Sequence, residues 1–370
     1  MSVREMKSVV SDEKITEFRD LVNSNSNFVF NTYKDKNGKN HWNLICSCMD
    51  WLTVSIRHLM NEPALDKNID VRVMQMFSLI SSIDLVSESI TQLHRVFINP
   101  STVPFAGEKK CFANRIFSNE DDNSYFKTIR ASFGAHPVNL NQSNYKRFAS
   151  WPFDSDLNSG ELTVYLYSNE VNVPDLVMNL NSNELLAFLN IRYNYLDVIS
   201  DKIKSIYSEF QHKLSKQRIQ ASTEPSEQLR ILKAESKKRL DNDYYNSEID
   251  DLIMIFEAEI SQPELKPLAD KYKKSLEPLI KEIKTNLQEM KIIDLVNTTS
   301  PSIRSEVSRK LSYEIGKFYT YIHGEKYDPL IHYYLERFNN ETNFKFNFNI
   351  DDSRNILFLK LMLMLDTQPE

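Results

Sequence analysis

Apolar residues recur every three to four positions over most of this chain, the spacing that gives a helix one buried face. The first such stretch runs from about Ser11 to Val22, with Ile15, Phe18 and Val22 on one side. A polar SNSN then gives way to NFVFNTY, whose β-branched and aromatic residues read as a short strand, and Lys36 to Gly38 reads as a turn. From His41 the helical spacing returns: Trp42, Ile45, Met49, Leu52, Ile56 and Leu59 form a stripe that ends near Asn61 and Pro63. Asn68 or Asp70 begins the longest helix of the N-terminal half, to about Ile98. Its stripe of Val73, Met76, Phe77, Ile80, Ile83, Ile90 and Phe97 is widened by Leu79, Val86 and Leu93, which predicts contacts on two sides.

Residues Asn99 to Phe117 lose the period and read as a long loop. Ser118, with Asp121 three residues on and then Asp122, reads as a capped helix start, and Tyr125, Phe126, Ile129 and Phe133 form the next apolar face. Gly134 is suited to a left-handed cap and Pro137 cannot continue a helix, so the helix stops at about Gly134 and leaves His136 on the turn beyond it. Period-two alternation follows in YKRFASWP (145–152) and ELTVYLYS (161–168), with SDLNSG between them as a turn. Together with Val173 to Leu180 they predict a small β-hairpin insertion at about 145–180.

Asn181 to Asn183 then cap a long helix to about Gln217, with Leu186, Leu189, Tyr193, Leu196, Ile203 and Tyr207 on its stripe. The clearest linker is ASTEPS (221–226), with Pro225 at a helix start. The expected organisation is therefore a mainly α protein: an N-terminal helical bundle with a β insertion over 1–220, and a second α-helical region over 221–370. In that second region the Lys/Glu alternation, to about Ile260 and again from Pro263 to Met290, reads as a solvated helical hairpin or coiled-coil arm. Further helices are expected from Ser300-Pro301 to about Ile322, from Asp328 to Phe338 and from Ser353 to Leu365.

Composition agrees with the class. Glycine occurs 6 times in 370 residues, where average usage would give about 26. The net charge of −6 and a pI near 5.8 exclude a protein that coats nucleic acid through overall positive charge. The segment Lys109 to Arg147 differs: seven basic residues against three acids give it +4. Three cysteines, Cys46, Cys48 and Cys111, match neither a redox pair nor a zinc knuckle and read as reduced thiols. The N-terminus has no apolar signal region, and the apolar run Ile356 to Leu365 is short and interrupted by Lys360, so a cytoplasmic protein with no membrane span is expected. The aromatic content of 11% is accounted for by packing, without need of a stacking surface.

Candidate chemistry concentrates on Arg130 and His136. Histidine titrates near neutral pH and can act as acid or base, while the permanently charged guanidinium suits phosphate oxygens. The reading Arg130, ASFGA, His136, within FKTIRASFGAHP, resembles the arginine–histidine motif of the HEPN superfamily, helical nucleotide-binding domains many of which are RNA-cleaving toxins or defence nucleases. The resemblance implies a metal-independent endoribonuclease of the toxin or phage-defence type, without cofactor. It implies a homodimer in which two motifs face one shared cleft, with RNA as substrate and a neutralising protein as possible partner.

Supporting roles are expected for Thr128 and Ser132 as hydroxyl donors, and for Asp84 or Glu88, one turn apart on the long helix, in orienting Arg130 or His136. Lys109, Lys110, Arg115, Lys127, Lys146 and Arg147 are the candidate nucleic-acid contacts. His94 and Arg95 are adjacent and so point to different faces. His323 and His332 read as core or surface residues of the last helices. No HExxH pair, P-loop, GxGxxG or GxSxG is present, which leaves metalloprotease, NTPase, dinucleotide and serine-hydrolase chemistry unsupported. The alternative is a non-catalytic helical scaffold that binds nucleotide, RNA or protein, with the charged helices as an interaction arm.

Overall fold

The computed structural model describes residues 10–135, 138–142, 145–151, 161–297, 309–324 and 328–366. The chain is mainly helical with one small antiparallel sheet, and contacts divide it into two compact units, Met1–Tyr207 and Ser208–Glu370. The division falls inside a helix and not at the ASTEPS segment, which belongs to the second unit.

In the first unit α1 (Glu13–Ser24), α2 (Ser26–Tyr33), α3 (His41–Met60) and α4 (Ile69–Phe97) follow in order. The expected strand at 27–33 is instead the helix α2. Val29 and Tyr33, four residues apart, are both buried while Phe30 is exposed, so the burial pattern has the helical period. Asn40 and Asn68 cap α3 and α4 through their side-chain oxygens, which accept the backbone N–H groups left unpaired at a helix start. The long helix α4 is the organising element, and it packs against α3 and against three later elements of the unit. Phe77, placed on its core stripe by spacing, is 40% exposed.

The motif helix α5 covers Asp122–Ile129, with Asp121 and not Ser118 as its N-cap, since the Asp121 carboxylate accepts the Ser124 N–H at 2.8 Å. At Arg130 the helix widens into a π-helical turn, Arg130–Ala135. Then come β1 (Val138–Gln142), β2 (Tyr145–Ser150), β3 (Glu161–Ser168) and β4 (Leu176–Asn181), a four-stranded antiparallel sheet in sequential order. The hairpin and its extension are present, and β1 is an addition. Leu162, Val164, Leu166, Met178 and Leu180 turn inward to the core. The single helix expected to Gln217 is two, α6 (Ser182–Asn194) and α7 (Leu196–Ser215). They part at Tyr195, whose hydroxyl lies 2.9 Å from His94 Nδ1 and whose ring meets Phe105 edge-on.

The second unit contains α8 (Pro225–Arg239), α9 (Asp243–Glu257), α10 (Lys266–Glu289), α11 (Ser312–His323), α12 (Ile331–Glu341) and α13 (Arg354–Asp366). The expected solvated arm is corrected: α8, α9 and α10 enclose a hydrophobic core with Leu229, Leu232, Ile249, Leu252 and Ile283 buried. Charged residues occupy their outer faces, which is why the composition alone resembled an arm. The run to Ile260 is broken by Asp241, in the left-handed region at φ 46°, and Asn242 caps α9. The start of the expected helix at Ser300-Pro301 lies outside the described residues. Every residue from Leu357 to Leu365 is buried, as expected of a helix that is apolar all round and runs through a core. Its one cation, Lys360, is 1% exposed and is neutralised by Asp352 at 2.6 Å and the Asn347 carbonyl at 2.7 Å. No helix among the described residues is long and apolar enough to cross a membrane.

Candidate functional site around Arg130

Arg130 sits where α5 gives way to the π-helical turn, one residue past the buried Ile129, and reaches Asp84 of α4. Its Nε lies 2.9 Å from Asp84 Oδ2, and the pair is partly open to solvent, Arg130 at 49% and Asp84 at 22%. Of the two carboxylates expected to orient it, Asp84 is therefore the one that touches it. Burial raises the Asp84 carboxyl above its usual range; Arg130 lowers it again, Glu88 adds to the rise and Lys127 opposes it, and the net displacement is upward.

Beside this pair lies a cleft of about 280 Å³ between α4 and α5. Asp84, Glu88, Arg95 and Lys127 bring charge to it, and Ser87, Thr91 and Asn123 bring hydroxyl and amide groups. Lys127 and Arg95 make no ion pair among the described residues, while Glu88 accepts a hydrogen bond from Gln92. Arg95 was legible as one turn beyond Thr91 and two beyond Glu88 on the long helix; only the packing of α5 shows that this row borders a cleft. Its neighbour His94 is buried, with Nδ1 on the Tyr195 hydroxyl and Nε2 2.8 Å from Thr102 Oγ1. Burial lowers the His94 pKa, helped by the charge of Arg95, so it serves as a neutral strut.

The remaining candidates separate by environment. Thr128 donates to Glu120 at 2.9 Å and Ser132 donates to the Thr128 carbonyl at 2.6 Å, so both hydroxyl protons support the motif helix itself. Arg115 is shielded against Asp122, its side chain 10% exposed, and Arg147 is 4% exposed and donates to the Leu166 and Pro174 carbonyls. Neither offers a guanidinium to solvent, which corrects their assignment as surface contacts. Lys109 donates to the Ser118 carbonyl and Lys110 pairs with Glu108. Lys127 and Lys146 are exposed. His136 lies outside the described residues.

The loop before α5 is clamped to its start. Asp122, fully buried, accepts from the backbone N–H groups of Lys110 and Cys111 and from Arg115, and Asp121 accepts from Gly107. Arg192 of α6 donates to Asn123 at 2.7 Å and stacks over Phe188, with 3.5 Å between guanidinium carbon and ring centroid. Burial drives the Cys111 thiol up to about 11, which makes it an inert core residue.

A second group of titratable side chains lies within the second unit. His323 Nε2 stands 3.4 Å from Asp251 Oδ1, the Tyr319 ring stacks on His323 with centroids 5.9 Å apart, and the Tyr319 hydroxyl faces Met362 Sδ at 3.9 Å. Burial pushes the Asp251 carboxyl up to about 7, with Glu248 and Asp250 adding to it. Among the described residues no group of three His, Cys, Asp or Glu side chains is arranged to hold a metal ion. No family model, curated protein or solved structure matches the chain.

Proposed function

We propose that this protein is a metal-independent endoribonuclease of the HEPN type, acting as a homodimer in which two Arg130/His136 motifs face one cleft. The observation that supports this most is the position of Arg130: half exposed, at a change from α- to π-helical winding, held by a carboxylate of the central helix at the edge of a polar cleft. Single π turns inside helices concentrate at functional sites. In the proposed step the ribose 2′-hydroxyl gives up its proton and attacks phosphorus, and the 5′-oxygen leaves and takes a proton. Arg130 stabilises the charge on the phosphoryl oxygens, and His136 serves as the acid or base. Asp84 fixes the guanidinium until the phosphate arrives, and Lys127 and Arg95 hold the neighbouring phosphates.

The test is incubation of purified wild type and His136→Ala with mixed RNA and a metal chelator, with light scattering to establish the dimer. Cleavage by wild type alone supports the reading; inertness of a confirmed wild-type dimer overturns it. One observation favours a second reading: Asp84 already occupies Arg130 and Glu88 borders the same cleft, so an incoming phosphate meets two carboxylates. Of the ligands open to a non-catalytic scaffold of the same fold, nucleotide, RNA or protein, a protein meets no such cost.

A further inference from the structure

We propose that the cleft between α4 and α5 is a pocket for a guanine base, with the Glu88 carboxylate as the group that recognises it. Placing that guanosine beside the cut rests on the nuclease reading; recognition of the base does not.

The cleft encloses about 280 Å³, at the small end of ligand pockets and suited to a single base. Its polar groups sort by whether they already have partners. Asn123 donates to the Pro104 carbonyl and accepts from Arg192, and the Thr91 hydroxyl donates to the Ser87 carbonyl. Asp84 is held on Arg130. Glu88 accepts from Gln92 through Oε1, and among the described residues no donor reaches its Oε2. Lys127 makes no ion pair among the described residues, and both it and Glu88 are exposed. Both act on the charge of Asp84, in opposite senses, so the open acceptor and the open cation lie close together.

A carboxylate repels phosphate, but this pair of groups matches one base edge. Guanine presents two adjacent donors, N1–H and the N2 amine, with the O6 acceptor beside them. The Glu88 carboxylate can take the two N–H bonds as a fork while the Lys127 ammonium donates to O6. Each carboxylate oxygen has two lone pairs, so the Gln92 bond is kept, and the ammonium has two further donors for a phosphate oxygen. Adenine and cytosine set one amine beside a ring-nitrogen acceptor, and uracil sets one N–H between two carbonyls. Each of these turns a lone pair toward the carboxylate. Guanine paired in a duplex has this edge occupied, so the base must be unpaired. The position along α4 relates the base to the motif. Glu88 lies about 6 Å past Asp84, which holds Arg130, and Arg95 lies about 10 Å further on. A base on Glu88 therefore belongs to a nucleotide next to the phosphate at Arg130, and Arg95 stands where the following phosphate would pass.

The experiment measures anisotropy of fluorescein-labelled oligouridines that carry one central guanosine, inosine or adenosine. The full-length protein is used in the His136→Ala background, which keeps each probe intact. Guanosine is expected to bind about tenfold or more tighter than adenosine, with inosine, which lacks the N2 amine, between them. Glu88→Gln, which replaces an acceptor by a donor at constant size, is expected to erase the difference, and urea denaturation checks that the variant is folded. Equal affinity for guanosine and adenosine overturns the proposal, and this comparison needs no variant at Glu88. So does a guanosine preference that survives in folded Glu88→Gln. Unlabelled 5′-GMP and the unlabelled guanosine oligomer, compared as competitors, identify the source of the base. Displacement at lower concentration by the oligomer assigns it to RNA, and equal displacement assigns it to a free nucleotide. A guanosine preference in a protein whose His136-containing form cleaves nothing removes the nuclease reading and leaves this one standing. Cleavage beside all bases alike, with the probes bound alike, does the reverse.

Discussion

The two ends of the motif helix are built in opposite ways. At its start Asp122 is fully buried and its carboxylate accepts two backbone N–H groups and the Arg115 guanidinium. At its end Arg130 meets Asp84 with half of the guanidinium side in water. Both are arginine–aspartate contacts, yet only the first is withdrawn from water. A buried, fully donated ion pair is costly to break because the survivor is stranded, whereas a solvated pair is exchanged for water at little cost. The helix is thus anchored at one end, so that the other can hold a cation available for exchange with a ligand.

The largest expected effect comes from breaking the anchored end. Asp122→Ala leaves Arg115 shielded without a counter-charge and two N–H groups without an acceptor, and should cost about 3–5 kcal/mol in urea denaturation. Stability within about 1 kcal/mol of wild type would show that this end is not an anchor. The pH dependence sharpens the point. Burial by itself raises the Asp122 carboxyl, but the Lys110 and Cys111 N–H groups and Arg115 outweigh it and hold the pKa below the usual carboxylate range. A depressed folded pKa gives stability that is present above about pH 4 and is lost as pH falls through the folded value.

Asp251 is the opposite case and tests the same rule. It is buried beside Glu248 without comparable donors, and its pKa rises to about 7. The folded state then keeps a proton that the unfolded chain releases near pH 4, so stability falls as pH rises through about 7. Asp251→Asn should flatten that fall in melts taken between about pH 4.5 and 7, where the folded state holds the proton and the unfolded chain has released it. An unchanged slope would show that Asp251 is ionised in the fold. The smallest effect on stability belongs to Arg130→Ala, less than about 1 kcal/mol, since the pair it breaks is half solvated. The same variant should lose RNA cleavage, and Arg130→Lys should not restore it, because a point charge lacks the planar fork. A variant that unfolds would place Arg130 with Asp122 among the anchors.

Much of the fold was legible because its signals are local. Asn68 and Asn181 cap their helices from within three residues, and Pro225 opens α8 as a first-turn proline should. The stripe on α3 follows from a 3.6-residue period that needs no partner to be read. Where the reading failed, the deciding contact came from elsewhere. NFVFNTY has strand composition, but Val29 and Tyr33 find a core on one side only, and a helix presents both to it. The helix after Asn181 breaks because Tyr195 reaches His94, 101 residues away in sequence. The aromatics of β2 and β3 fit an alternating pattern, yet which half of the alternation faces solvent depends on the core that the sheet covers.

The sequence by itself determined the helical class, most helix limits, the small sheet and the apolar faces. It also located Arg130 near a helix end and offered Asp84 or Glu88 on α4 as a partner for it or for His136. Tertiary structure alone decided which charges are spent and which are free. Arg115, Arg130 and Arg147 look alike in a basic segment, but one is locked on Asp122, one is bound to carbonyls at a sheet edge, and one stands half in water. The physical reason is that a charge's availability depends on its desolvation and its partners, and both are set by chain segments brought together only on folding.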